Sequence, residues 1–220
     1  MSLPETVTRV SLFSDSCPGQ NRNSMIAAVF RYVVNSIVQL QSARLTFLEK
    51  GHTNMKIDSM HATIEKAVKP KQIYCYTEWV EVLTKARKRK DYKVIQIDHK
   101  SFFDLRVLCD SVLGACRISF DKVKVMEANK ASAHTLRINY SYSEESFEDV
   151  ILRPKRIKGD QLKPIYSQEI PISVAKKQDL LKLLQSGAIP RQYRGFYEDL
   201  HVDDNEEDVV PLESDSGEEL

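Results

Sequence analysis

Residues 7–69 constrain the fold most, because a strand-like run, a carboxylate, a glycine turn, a long amphipathic stretch and a second strand-like run follow one another there. The apolar run Val10, Leu12, Phe13 stops at Asp15 and the Cys17-Pro18-Gly19 turn, which predicts a strand whose end delivers one carboxylate to a sheet edge. Sites of open α/β sheets gather at such strand ends. Asn21 or Asn23 can cap the helix that follows, along which Ile26, Val29, Phe30, Val33, Val34, Ile37 and Leu40 recur at the spacing of one face. Residues 44–49 form the next expected strand, closed by Gly51, and the short connection through Gln41 and Ser42 predicts a βαβ unit with parallel strands.

A second helix is expected from Asn54 to just before Pro70, with Ile57, Met60, Ile64, Ala67 and Val68 turned inward. At about 100° per residue, Asp58, His61 and Glu65 fall on one stripe beside that face. Further along, a helix is expected over residues 76–90, a strand over 92–98 and a short helix over 102–113. Alternation at Val123, Val125, Leu136, Ile138, Tyr140 and Tyr142 predicts antiparallel strands, read as a small β appendage. Ser173 is positioned to cap a helix closed by Gly187, and Pro190 opens a last short helix. The expected organisation is an α/β core over 1–116, a β-rich appendage over 117–172, C-terminal helices over 173–200 and an acidic disordered tail over 201–220.

Composition narrows the function classes. A chain of 220 residues with 42% hydrophobic content can bury a real core. Cys17, Cys75, Cys109 and Cys116 show no CxxC pairing and no secretory leader precedes them, so buried thiols in a reducing intracellular compartment are expected. No apolar run approaches the ~20 residues that span a bilayer, since Ile26 to Leu40 is interrupted by Arg31, Asn35, Ser36 and Gln39. The net charge of +1 hides an asymmetry: residues 195–220 carry eleven acidic residues and no Lys or Arg, which leaves 32 basic against 20 acidic residues before them. A body of net charge +12 attracts polyanions, while its own tail competes for the same surface or serves protein contacts.

Asp15 after a strand, with Asp58 and Glu65 on a following helix, suits divalent-metal chemistry, in which Mg²⁺ or Mn²⁺ held by Asp15 and Asp58 clamps a phosphodiester. The plain alternative is that Asp15 caps its turn while Asp58 and Glu65 are solvated helix residues. His52 and His61 flank Asp58 and also admit a zinc site, although no compact histidine pair of the HExxH kind is present. Walker, dinucleotide and GxSxG motifs are missing from the sequence. Two basic clusters are candidates for phosphate contact: Lys85, Arg87, Lys88, Arg89 and Lys90, which also read as a nuclear import signal, and Arg153, Lys155, Arg156, Lys158 and Lys163. Tyr76 and Trp79 are expected as core anchors. Ser216 in its acidic surroundings is a candidate phosphate acceptor.

The segments SDSCPGQNRN and GHTNMKIDSMHATIEK resemble a signature of mobile-element-derived proteins whose central domain is similar to the RNase H-like fold of DDE-type transposases, and residues 174–200 resemble the closing helices of those proteins. The resemblance implies that Asp15 is the carboxylate on the fourth strand of an RNase H-like sheet, with Gly19, Gln20, Asn21 and Asn23 in the turn beyond it. It places Asp58, with Glu65 as additional ligand or base and His52, His61 and Asn21 as orienting residues, where the last acidic position would lie. Such a sheet begins with a three-stranded antiparallel meander carrying the first carboxylate, and only residues 1–7 precede the expected fourth strand here. The resemblance therefore implies an incomplete core, a transposon-derived, domesticated nuclear protein with weak or no nuclease or integrase activity, unless Asp98 or a second chain supplies the missing ligand. The competing implication is a noncatalytic nuclear module that binds nucleic acid or protein.

Overall fold

The structure is a computed structural model that describes residues 3–17, 19–49, 55–153 and 162–203. In chain order its main elements are β1 (Arg9–Ser14), α1 (Ser24–Ser36), β2 (Ser42–Phe47), α2 (Lys56–Val68), α3 (Tyr76–Lys85), α4 (Leu105–Val112), β3 (Val125–Asn129), β4 (Thr135–Asn139), β5 (Glu148–Ile151), β6 (Ile172–Ser173), α5 (Val174–Ser186), α6 (Arg194–Glu198) and β7 (Val202–Asp203). They belong to two compact units, one from Met1–Met55 and Phe102–Ile165, the other from Lys56–Ser101 and Tyr166–Leu220.

The first unit is a mixed α/β layer whose five-stranded sheet has the order β1-β2-β3-β4-β5. β1 and β2 run parallel, with Arg9 opposite Ser42 and Ser14 opposite Phe47, so the expected βαβ unit is present. The remaining neighbours are antiparallel. β2 alternates strictly, burying Ala43, Leu45 and Phe47. Those three share one core with Ala27, Ala28 and Val34 of α1, Leu108 of α4, Met126 and Ala128 of β3, and Leu136 and Ile138 of β4. The strands expected as a separate appendage therefore continue the main sheet. A three-stranded antiparallel meander this short has little stability alone, and its apolar face is covered by the layer that already covers β2.

On α1, Asn23 rather than Asn21 is the cap, its Oδ1 accepting from the Ile26 N–H at 3.1 Å. The residues of α1 that are fully enclosed are Ala27, Ala28, Arg31 and Val34, while the larger Ile26, Val29, Phe30, Val33 and Ile37 pack around them partly exposed. Small side chains let the helix axis approach the sheet, and hydrophobic spacing alone does not reveal that closest stripe. Arg31 is 1% exposed and is held by carbonyls: Nη1 donates to Asn129 O at 2.6 Å and Ser132 O at 3.2 Å, and Nη2 donates to Asn35 Oδ1 at 2.5 Å. Burial pushes its guanidinium pKa down from the usual arginine value.

The opposite sheet face carries a cross-strand row. Ser11, Arg44, Glu127, Arg137 and Asp149 occupy successive register positions from β1 to β5, so charges alternate in sign along the last four. Arg137 Nη1 lies 3.3 Å from Glu127 Oε1 and its Nε 3.8 Å from Asp149 Oδ1, and the Arg137 and Arg44 guanidinium carbons stand 4.5 Å and 5.3 Å from the Phe147 ring centre. Charges so placed keep this face wetted, and the ion pairs of Arg137 tie the register of β3, β4 and β5.

In the second unit Leu184, Ile189 and Tyr197 form a small core with Tyr74, Leu180, Leu181, Tyr193, Phe196 and Leu200 packed against it. Ser173 caps α5 as expected, its Oγ accepting from the Lys176 N–H at 3.1 Å, and Gly187 ends the helix in the left-handed region with φ of 81°. Three expectations are corrected. The third helix stops at Lys85 instead of reaching Lys90, because five cations in six residues repel one another and offer no apolar stripe to bury. Residues 92–98 form no strand: their alternation finds no ladder partner, and Ile95 and Ile97 stay exposed. The helix expected over 102–113 begins at Leu105, where Asp104 Oδ1 accepts from the Arg106 N–H at 2.9 Å. Among the described residues no helix is long and apolar enough to cross a membrane.

Candidate functional site

In the first unit the ends of β1 and β2 lie side by side, and each strand is followed by a carboxylate. Leu48 N–H donates to Ser14 O at 2.8 Å, and the buried Ser16 Oγ donates to Leu48 O at 2.8 Å, so the chain beyond β1 is tied to the chain beyond β2. The turn that follows closes on Cys17, whose carbonyl accepts from the N–H groups of Gln20, Asn21 and Arg22 at 3.2, 2.9 and 3.1 Å. Asn21 sits at its centre. Its Oδ1 accepts from Cys17 N–H at 3.2 Å, and its Nδ2 donates to Ser14 Oγ at 2.6 Å and to Asp15 Oδ1 at 2.7 Å. A bifurcated amide in that position aims the Asp15 carboxylate at the strand end while leaving it exposed to solvent.

The neighbouring strand end carries Glu49, expected as the last residue of that strand and lying just beyond β2. Lys124 Nζ lies 2.5 Å from Glu49 Oε1, and Tyr142 Oη donates to Phe47 O at 2.7 Å and reaches Glu49 Oε1 at 3.3 Å. Desolvation raises the Tyr142 pKa first of all, with the Lys124 charge opposing it. Lys124 precedes β3 and Tyr142 follows β4, so the signal that could have revealed them is a pairing across 75 to 95 residues, which local spacing does not carry.

Asp58, His61 and Glu65 lie on α2 in the second unit, all exposed, on one stripe as the periodicity predicts. His61 and Glu65 line a groove of about 430 Å³ with Ile64, Val68 and Trp79; Asp58 does not. Trp79, 43% exposed, and Tyr76, exposed as well, are thus surface residues of α3 and not the core anchors expected. Asp98, also in the second unit, accepts from Ser101 Oγ at 2.9 Å, a bond that holds its carboxyl below the usual range.

These placements bear on the expected divalent ion. Among the described residues no group of three His, Cys, Asp or Glu side chains is gathered where an ion could bind, and Asp15 belongs to one unit while Asp58 and Glu65 belong to the other. His52 lies outside the described residues.

Of the basic clusters, Lys85, Arg87, Lys88, Arg89 and Lys90 are all exposed in the second unit. Lys85 pairs with Glu81 at 3.2 Å, and the other four make no ion pair among the described residues. Arg153, in the first unit, is exposed, and its backbone N–H donates to Leu113 O at 3.0 Å. Lys163 is exposed, whereas Lys155, Arg156 and Lys158 lie outside the described residues. Of the four cysteines, all partly buried, Cys116 has its thiol pKa pushed up by burial and then by the neighbouring Cys109. A family model described as a domain of unknown function, DUF7869, matches residues 2–145. No curated protein and no solved structure matches the chain.

Proposed function

We propose that this chain, which belongs to the DUF7869 family, is a nucleic-acid-binding protein of mobile-element descent that binds polyanions without cutting them. The observation that carries the reading is the exposed run Arg87, Lys88, Arg89 and Lys90, four cations with no intramolecular ion pair among the described residues. They follow the C-terminal end of α3, on a body whose charge before residue 195 is +12. Cations so placed release counterions when they meet phosphates. The acidic segment from residue 195 onward is then an internal competitor for the same surface. An intracellular, nuclear location accords with the same basic run.

The ancestry part of the proposal is an RNase H-like core of the nuclease or integrase class. It is supported by the βαβ unit with Asp15 at the end of its first strand and Asn21 holding that carboxylate in place. A second reading, residual phosphodiester cleavage, keeps Asp15, Asp58 and Glu65 as its candidates, and the exposure of Asp15 at a strand end is what favours it. Fluorescence anisotropy with a labelled DNA duplex across a salt series tests the binding proposal. The expected result is an affinity that falls steeply with salt and rises when residues 204–220 are deleted; affinity flat in salt overturns it.

A further inference from the structure

β1 is the edge strand of the five-stranded sheet, and its outer side carries a pattern that reads the same chemistry in both directions. On the inner side Thr8 and Ser14 carbonyls accept from Gln41 and Leu48 at 2.7 and 2.8 Å. In a parallel ladder both backbone groups of a residue face the same neighbour and alternate along the strand, so the N–H and C=O of Arg9, Ser11 and Phe13 face the open edge. The side chains there are not those of an edge guarded against pairing. Leu12 occupies a core-facing position opposite Leu45, which is 3% exposed, yet Leu12 itself is 48% exposed; Phe13 on the other face is 63% exposed. Arg9 is exposed and makes no ion pair among the described residues, and Asp15 is an exposed carboxylate at the other end.

We infer that this edge is the interface of a two-fold dimer, in which two copies of β1 pair antiparallel about Leu12 and Arg9 of each copy meets Asp15 of the other. With the axis at Leu12, Ser11 opposes Phe13 and Val10 opposes Ser14 of the second copy, each residue staying on its own face. Ser11 with Phe13 falls at a hydrogen-bonded position, where the backbone groups point outward, and Arg9 comes opposite Asp15 just beyond the strand end. Leu12 meets its own symmetry mate on the core side, covering the apolar surface left open there. A two-fold interface must be self-complementary, and a strand with a cation at one end, a carboxylate at the other and leucine at the centre meets that condition. The inference stands apart from nucleic-acid binding, because it uses none of the basic run.

Sedimentation velocity of the full chain over a concentration series tests it. The expected species move from 25.3 kDa toward twice that mass as concentration rises. Arg9→Asp and Asp15→Arg each weaken association by at least about tenfold, while the double variant Arg9→Asp/Asp15→Arg returns to within about threefold of the natural chain. Ser11→Pro removes an outward N–H without touching the ladder to β2 and leaves a monomer. If Ser11→Pro fails to fold by circular dichroism, the charge exchange decides. A monomer at every concentration, or a dimer indifferent to either single exchange, or a double variant no better than the singles, overturns the inference.

Discussion

Asn21 Nδ2 donates to Asp15 Oδ1 at 2.7 Å, so the one carboxylate at the end of the first strand is held by an amide six residues further along the chain. The same side chain also bonds Ser14 Oγ and the Cys17 N–H, which makes it the keystone of the turn between β1 and α1. Asn21→Ala removes three bonds at a partly solvated position and is expected to lower stability by about 1–2 kcal/mol, read as a lower urea midpoint at unchanged slope.

Arg31 predicts a larger loss. Arg31→Ala leaves the carbonyls of Asn129 and Ser132 without their donor and opens a void beneath α1, and a cost of about 3 kcal/mol is expected in urea unfolding. Arg31→Lys is expected to recover only part, since an ammonium cannot reach Asn35 Oδ1 and both carbonyls with the geometry of a guanidinium. Equal stability of Arg31→Ala and the natural chain would show that the buried guanidinium contributes nothing.

Exposed cations should act on binding and not on folding. Replacing Arg87, Lys88, Arg89 and Lys90 together with alanine is expected to weaken duplex DNA binding by at least about tenfold at moderate salt and to flatten the salt dependence, with an unchanged melting temperature. A retained affinity would move the phosphate contacts elsewhere on the body.

Mn²⁺ titration against a DNA substrate addresses cleavage. The noncatalytic reading expects the natural chain and Asp15→Ala to give the same background at every metal concentration; no group of three His, Cys, Asp or Glu side chains is gathered among the described residues. Cleavage that is lost in Asp15→Ala would restore the catalytic reading.

Glu78 sets an acid dependence in the second unit. Its carboxylate accepts from Tyr193 Oη and, at 2.7 Å, from the Tyr74 N–H, and these bonds, the tyrosine's first, hold its pKa below the usual glutamate value. A depressed folded pKa means that the unfolded chain takes up the proton more readily, so the contribution is present above the ordinary glutamate range and is lost as pH falls from there through the lower folded value. Thermal melts from neutral to acid pH are expected to show a decline that Glu78→Gln makes shallower. An identical pH profile in the variant would remove Glu78 from the cause.

Local chemistry explains why parts of this fold were legible in the chain. Asn23 and Ser173 cap helices because short polar side chains accept N–H bonds from the first turn, and Gly187 ends α5 because only glycine adopts φ of 81° without strain. The βαβ unit followed from strand, turn and helix signals within one continuous stretch, and Asp15 was placed at its strand end by the same signals. The spacing of Asp58, His61 and Glu65 likewise put them on one stripe of α2.

What the sequence alone determined, then, was everything set within a few turns of chain: caps, stops, periodic faces, the carboxylate after β1 and the charge asymmetry. Tertiary structure decided the rest, because it depends on which distant segments find each other. The alternation of residues 123–138 was visible, but that β3 and β4 extend the sheet of β2, bringing Lys124 and Tyr142 to Glu49, follows only from pairing across long separations. An equal alternation at residues 92–98 found no partner and stayed in solvent, since a strand is stabilised by its neighbours and not by its own pattern. Burial of Arg31 beneath α1, where a charge looked like an interruption of an apolar face, was decided by the carbonyls that the end of β3 and the loop after it present to it.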